Sequence, residues 1–142
     1  MDKALNYLAL AKRGRLVELG EEPVGAITRT GKGYLVVVAK DASDHTWRRA
    51  KSFVAGTDQQ CISVPFTKEE LGFVVGRTSL AIAAFTDVAL ALAFVQALEE
   101  PEHYSQLVLT LESQVERVKK RRAEEKAHQK NVRQGKRKQT KP

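Results

Sequence analysis

The chain contains one cysteine, Cys61, in 142 residues, so no intrachain disulfide can form and a reducing compartment is expected. Cys61 stands in the short apolar stretch Cys61-Ile62-Ser63-Val64, where a thiol reads as a small core residue rather than a nucleophile. No run of 18 apolar residues occurs, so no membrane-spanning helix is expected. The N-terminus leads directly into an amphipathic helix and lacks the long apolar core of a signal peptide, which points to the cytoplasm. There is no Cys/His set with metal-ligand spacing and no glycine-rich phosphate loop between a strand and a helix. Ser63, His45 and His103 show no spacing of nucleophile and base. The acidic pairs Glu21-Glu22, Glu69-Glu70 and Glu99-Glu100 fall in first turns or at helix ends, where dipole and solvent account for them. The expectation is therefore a protein that is not an enzyme and uses no cofactor or metal.

Positive charge is in excess, and it is concentrated at one end. Residues 117–142 carry twelve Lys or Arg against two acids, a local +10, so residues 1–116 hold −3 of the chain's formal +7. A self-repelling block with no large apolar residue after Val132 cannot bury a core. Its natural partner is a polyanion, most commonly RNA; the alternative is a tail that only aids solubility. Composition divides the chain into a body over 1–100, an amphipathic and then basic helix over 101–130, and a disordered basic tail over 131–142.

Within the body, Leu5, Leu8 and Ala9 recur at helical spacing, and Lys12-Arg13-Gly14 closes that helix. Residues 15–19 read as a short connection. Glu21-Glu22-Pro23 opens a second helix that runs to about Thr30. Tyr34 to Ala39 is a continuous β-branched run, the pattern of a strand buried on both faces. Asp41-Ala42-Ser43 supplies cap chemistry for a third helix over about 43–55, on which Trp47 reads as a core or half-core anchor, with base stacking as the alternative. Residues 60–64 form a second strand. Thr67 and Glu70 have capping-box spacing for a short fourth helix. A loop over 76–79 precedes a third strand, 80–85, and Thr86-Asp87 caps a helix from about 87 to 98. Helices alternating with strands across short connections predict an α/β fold: a three-layer α/β/α sandwich around a small parallel or mixed sheet.

Beyond Pro101 the apolar residues Tyr104, Val108, Leu111, Val115 and Val118 are spaced 4, 3, 4, 3, a heptad seam. Two heptads are marginal for an isolated coiled coil. The expected arrangement is a monomer with the seam docked on the body; a short coiled-coil dimer is the alternative. Residues 119–130 continue as a solvated helix.

Several stretches in order carry a resemblance: Asn6 to Leu16 (NYLALAKRGRL), Gly20-Glu21-Glu22, Leu35 to Ser43 (LVVVAKDAS), Val64 to Gly72 (VPFTKEELG), Gly76-Arg77, and Ala83 to Asp87. Together they resemble the kink-turn-binding ribosomal protein family, the L-seven-Ae and L-thirty-e type, and its short bacterial members above all, over about residues 3–98. The resemblance implies an α/β/α sandwich that binds a sharply bent RNA through the start of the second helix and the loop before the last strand. The family pattern Gly-x-Asn-Glu-x-x-Lys falls on Gly20, with Glu22, Pro23 and Ala26 where the family has Asn, Glu and Lys. An amide can donate and accept at base edges, whereas an ionised carboxylate only accepts. Gly76, Arg77, Thr78 and Ser79 match the RNA-contacting loop, where glycine permits close approach and Arg77 can reach phosphate or a guanine edge. The resemblance further implies that Lys12, Arg13, Arg15, Arg29 and Lys32 surround the Gly20 corner.

Two functions follow as expectations. The first is an RNA-binding protein of ribosomal type on ribosomal or another structured RNA, with Glu21 and Glu22 at the corner and Lys119, Lys120, Arg121 and Arg122 adding phosphate contacts. The second is a protein-interaction module of the same fold that has lost kink-turn recognition, with the 104–118 seam as contact surface and the tail as a tether to RNA or ribosomes.

Overall fold

The computed structural model describes residues 2–139, without the side chains of Pro101 and of 131–139. The elements in chain order are α1 (Lys3–Arg13), β1 (Val17–Leu19), α2 (Glu21–Arg29), β2 (Leu35–Ala39), α3 (Asp44–Val54), β3 (Gln60–Val64), α4 (Lys68–Val74), β4 (Ile82–Phe85), α5 (Val88–Ala97) and α6 (Pro101–Gln139). The four strands form one sheet in the order β1-β4-β2-β3. It is mixed: β2 and β3 are parallel, whereas β4 runs antiparallel to both β1 and β2.

Alternation along the two central strands builds two cores. Leu35, Val37, Ala39, Ala83 and Phe85 face one side, where α1, α4 and α5 pack; Val36, Val38, Ile82 and Ala84 face the other, against α2 and α3. This is the expected three-layer sandwich, and β2 is buried at every residue, as its unbroken apolar run requires. Phe85 and Phe94 stack at 5.1 Å between ring centroids, joining β4 to α5.

Local chemistry sets the helix starts. Asp2 accepts from the amides of Ala4 and Leu5, Ser43 from Thr46, and Asp87 from Leu90. The Thr67–Glu70 box is closed in both directions. One element departs from the sequence reading. Residues 17–19, read as connection, form the edge strand β1, with Val17 and Leu19 turned into the core and Glu18 half-exposed between them. Three residues carry too little periodicity to register, and this strand exists through pairing with β4, more than sixty residues away.

The seam of α6 docks on the body. Tyr104 and Leu111 are buried, and Val108, Val115 and Val118 pack against the same core. Leu107 and Gln114 are buried as well. Tyr104 Oη donates to Ser63 O at 3.3 Å, and Gln114 Nε2 donates to Asp58 O at 3.3 Å. Ten residues of helix span about 15 Å, close to the length of the extended segment from Ser63 back to Asp58. The helix thus runs antiparallel to β3, packed on α5 and bonded to the outer strand and the loop before it through these two side chains. The seam is committed to the body, so a coiled coil or a partner surface built from it would require α6 to detach. Past Val118 every residue to Lys130 is exposed, about 18 Å of solvated helix. The helix backbone extends to Gln139. The expected disordered tail over 131–142 falls on residues whose side chains, or for 140–142 whose backbone as well, lie outside the described ones.

Candidate nucleic-acid interface

The corner at Gly20 joins β1 to α2. Gly20 caps α2 with φ 97°, a left-handed value that glycine adopts without strain, and its amide donates to Ile82 O at 3.0 Å. The side chain that stands over it comes from a distant loop. A Cβ built on Gly20 would lie 3.6 Å from Nη1 of Arg77. The two surfaces that the resemblance singled out, 57 residues apart in sequence, therefore lie side by side.

The loop is held tightly. The Arg77 amide donates to Gly72 O at 2.8 Å, and the Leu80 amide donates to Lys68 O at 2.9 Å. A Cβ on Gly72 would lie 2.8 Å from Arg77 O and 2.8 Å from Ser79 N, so only glycine lets α4 approach this backbone. Gly76 has φ 76° and makes the turn, leaving Gly76, Arg77, Thr78 and Ser79 exposed. On the helix side Glu22, Pro23 and Ala26 are exposed. Glu21 is half-buried and forms an ion pair with Arg49 of α3, whose guanidinium also lies over the Phe53 ring at 5.3 Å. Its negative charge is thus balanced from within the fold. Arg49 was not singled out from the sequence, because nothing local marks it as the partner of a residue on another helix.

The basic residues near Gly20 in sequence do not surround it. In the sheet register Val17 pairs with Phe85, Phe85 with Leu35, and Leu35 with Gln60, which defines the end opposite the Gly20 corner. Lys12 and Arg13 lie in the last turn of α1 and Arg15 in the turn leading to Val17, so they belong to this far end. Arg29 ends α2 there, with its guanidinium folded back toward Gly25, and Lys32 precedes β2. The implied ring of cations around the corner is therefore corrected. A strand reverses nothing, and three residues of β1 carry the chain about 10 Å from one end of the sheet to the other.

At this far end Lys32 meets the basic part of α6. It lines one cleft with Arg117 and Arg121. Lys119, Lys120 and Arg122 are exposed on the same helix, and Lys119 lies 3.9 Å from Glu116, a solvent-screened pair.

Trp47 is half-buried against the smaller core, under Lys51, so the anchor reading describes it. Burial pushes the Cys61 thiol up to about 11, partly offset by Lys51, which leaves little thiolate near neutrality. Among the described residues no group of His, Cys, Asp and Glu could hold a metal ion, and no helix is long and apolar enough to cross a membrane.

No family model matches the chain, and no curated protein matches it in sequence. Solved structures share its fold. A protein of unknown function from Bacillus halodurans C is 24% identical with a TM-score of 0.65, over 70% of this chain and 100% of that one. The Giardia lamblia 15.5kD RNA binding protein is 16% identical with a TM-score of 0.58, over 71% of this chain and 86% of that one. At these identities the likeness is one of fold.

Proposed function

We propose that the chain is an RNA-binding protein of the kink-turn-binding ribosomal type, acting on ribosomal or another structured RNA. The observation that carries this reading is the placement of the Arg77 guanidinium against the bare backbone of Gly20. A cation poised over a side-chain-free corner, with an exposed glycine turn beside it, suits a phosphate backbone drawn in close. Support also comes from the fold shared with a Giardia lamblia RNA binding protein. Glu22, Pro23 and Ala26 remove the amide, the charge and the cation of the family pattern. Recognition therefore rests on the shape of the RNA at the Arg77 loop more than on base edges at α2. The basic stretch of α6 adds contacts that do not depend on sequence. Neither catalysis nor a resident cofactor forms part of this reading, and the proposed setting is the cytoplasm, with the ribosome as one candidate assembly.

The test is equilibrium binding of the full chain to a kink-turn RNA and to a plain duplex of equal length, each at 50 and 200 mM salt. Arg77→Gln should reduce the preference for the bent RNA to near unity. Neutralising Lys119, Lys120, Arg121 and Arg122 together should weaken both RNAs alike and flatten the salt dependence. Equal binding of both RNAs by the unaltered chain would remove the shape-reading role. The protein-interaction reading would then take its place, with exposed Phe73 of α4, rather than the buried seam, as the surface to examine.

A further inference from the structure

Where α6 leaves the body it opens a cleft of about 590 Å³, within the size range of small-ligand sites. The docking stripe of the helix passes through Leu111, Gln114 and Val118; Arg117 and Arg121, one turn apart, continue toward the body but find charge and space instead of a core. Lys32, the half-buried ring of Tyr34, Glu18 and Asp58 line the same cleft. In the wall is Gln114, only 7% exposed. Its Nε2 makes one long bond to Asp58 O, and its Oε1 has no hydrogen-bond partner among the described residues. A buried acceptor left unmade is costly, and such a group calls for a donor.

We infer that this cleft binds a nucleotide, base inward and phosphate outward. The wall groups define the ligand. Gln114 Oε1, Glu18 and Asp58 all accept hydrogen bonds, so the part of the ligand that meets them must be rich in N–H donors. Arg117, Arg121 and Lys32 require an anion at the other end, and paired arginines fit a phosphate. Tyr34 offers a flat ring for stacking between the two. Guanine carries its N1 and N2 donors on one edge and matches three acceptors better than any other base. Inorganic phosphate alone would leave Gln114 unpartnered. A turn of the terminal amide, restrained only by its long bond to Asp58, presents the acceptor to the cleft. The same chemistry is offered by a free guanosine monophosphate and by one guanosine nucleotide of an RNA strand. The site lies at the opposite end of the sheet from Gly20 and Arg77, so it does not depend on the RNA-binding reading of that corner.

The experiment is a nuclear magnetic resonance titration of the full chain, following the Gln114 side-chain amide and the Tyr34 ring. One arm adds 5′-GMP, another guanosine, another 5′-AMP, and a fourth a 5′-phosphorylated single-stranded hexanucleotide containing guanine. Saturable shifts of both groups with GMP, weaker shifts with guanosine and AMP, support a site that a free nucleotide fills. Shifts with the hexanucleotide alone support the same site occupied by a strand. Gln114→Met should weaken binding about five- to tenfold with little change in melting temperature, because it removes an unsatisfied acceptor together with one long bond to Asp58 O, which still accepts from Gln60 Nε2. Arg117→Gln with Arg121→Gln should abolish the preference for GMP over guanosine, whereas Arg77→Gln should change nothing here. Absence of shifts in every arm up to millimolar ligand overturns the inference. A Gln114→Met protein that binds as before overturns it as well. Loss of the Arg77 response in the kink-turn assay leaves it untouched.

Discussion

Substituting Gly72 by alanine sets two opposing effects against each other. Gly72 lies within α4, where alanine is intrinsically better by about 0.8–1 kcal/mol. Against this, the new methyl would lie 2.8 Å from Arg77 O and Ser79 N and 2.9 Å from Ser79 Cα. These are backbone atoms of a loop pinned at Arg77 and Leu80 by hydrogen bonds to α4, so no flexible side chain can yield. Restoring ordinary contact needs a displacement of roughly 0.6–1 Å, and overpacking of this kind costs about 1–3 kcal/mol. The clash exceeds the gain in all but its mildest form, with a net loss of up to about 2 kcal/mol, read as a fall of up to about 4–8 °C in Tm. The displacement also carries Arg77 away from Gly20. Gly72→Ala should therefore lose discrimination for kinked RNA as Arg77→Gln does, while keeping the salt-sensitive binding contributed by α6. Thermal unfolding and RNA binding on the same preparation decide the matter. A Gly72→Ala protein that is more stable by about 1 kcal/mol and binds unchanged would refute the tight coupling of α4 to the loop.

Other expectations follow from burial and charge. Leu111 is fully buried beneath α6, so Leu111→Ala should cost about 2–5 kcal/mol in denaturant unfolding and expose α6 to proteolysis; resistance equal to the wild type would mean the helix is not held there. Full-chain binding to a plain duplex should fall on the order of a thousandfold from 50 to 200 mM salt if six basic side chains each engage a phosphate, and less steeply in the quadruple Gln variant of 119–122. The Cys61 pKa is raised from 9.0 to about 11, and burial with Glu100 also raises Tyr104, so the native state holds protons that the unfolded chain releases. For Cys61 the resulting stability is complete below pH 9 and is lost as pH rises toward 11. Alkaline titration should show that onset, Cys61→Ala should reduce it, and iodoacetamide should react with the native thiol about a hundredfold more slowly at pH 8 than with the unfolded one.

The central strands were legible because their burial on both faces leaves an unbroken β-branched run, and the capped helices because Ser43, Thr67 and Asp87 bond within their own first turns. Such signals are local. The edge strand β1 was not legible, since Val17-Glu18-Leu19 becomes a strand only on meeting Ala83 to Phe85. The seam marked Tyr104 and Leu111 correctly but passed over Gln114, whose polarity hides a buried position. At the corner, Gly20 and the 76–79 loop were each identified, but their union depends on the crossing of the chain between them. The cations Lys12, Arg13, Arg15, Arg29 and Lys32 were grouped with Gly20 because sequence distance took the place of distance in the sheet. Arg117 drew attention only as one charge among many. Its place beside Lys32 and Tyr34 appears once α6 is laid along β3.

That course of α6 along the outer strand has a consequence in time. A ribosome makes the chain from its N-terminus, at about 5–20 residues per second, so on the order of several seconds separate the synthesis of β3 from that of the turns that dock beside it. During that interval the nascent body presents an open strand edge and the bare flank of α5. The following stretch, 117–130, carries seven Lys or Arg against two acids, and it is made directly after the turns that dock. The length that docks beside the edge and the length proposed to bind a polyanion are successive parts of one helix. A nascent chain that has docked the first presents the second next.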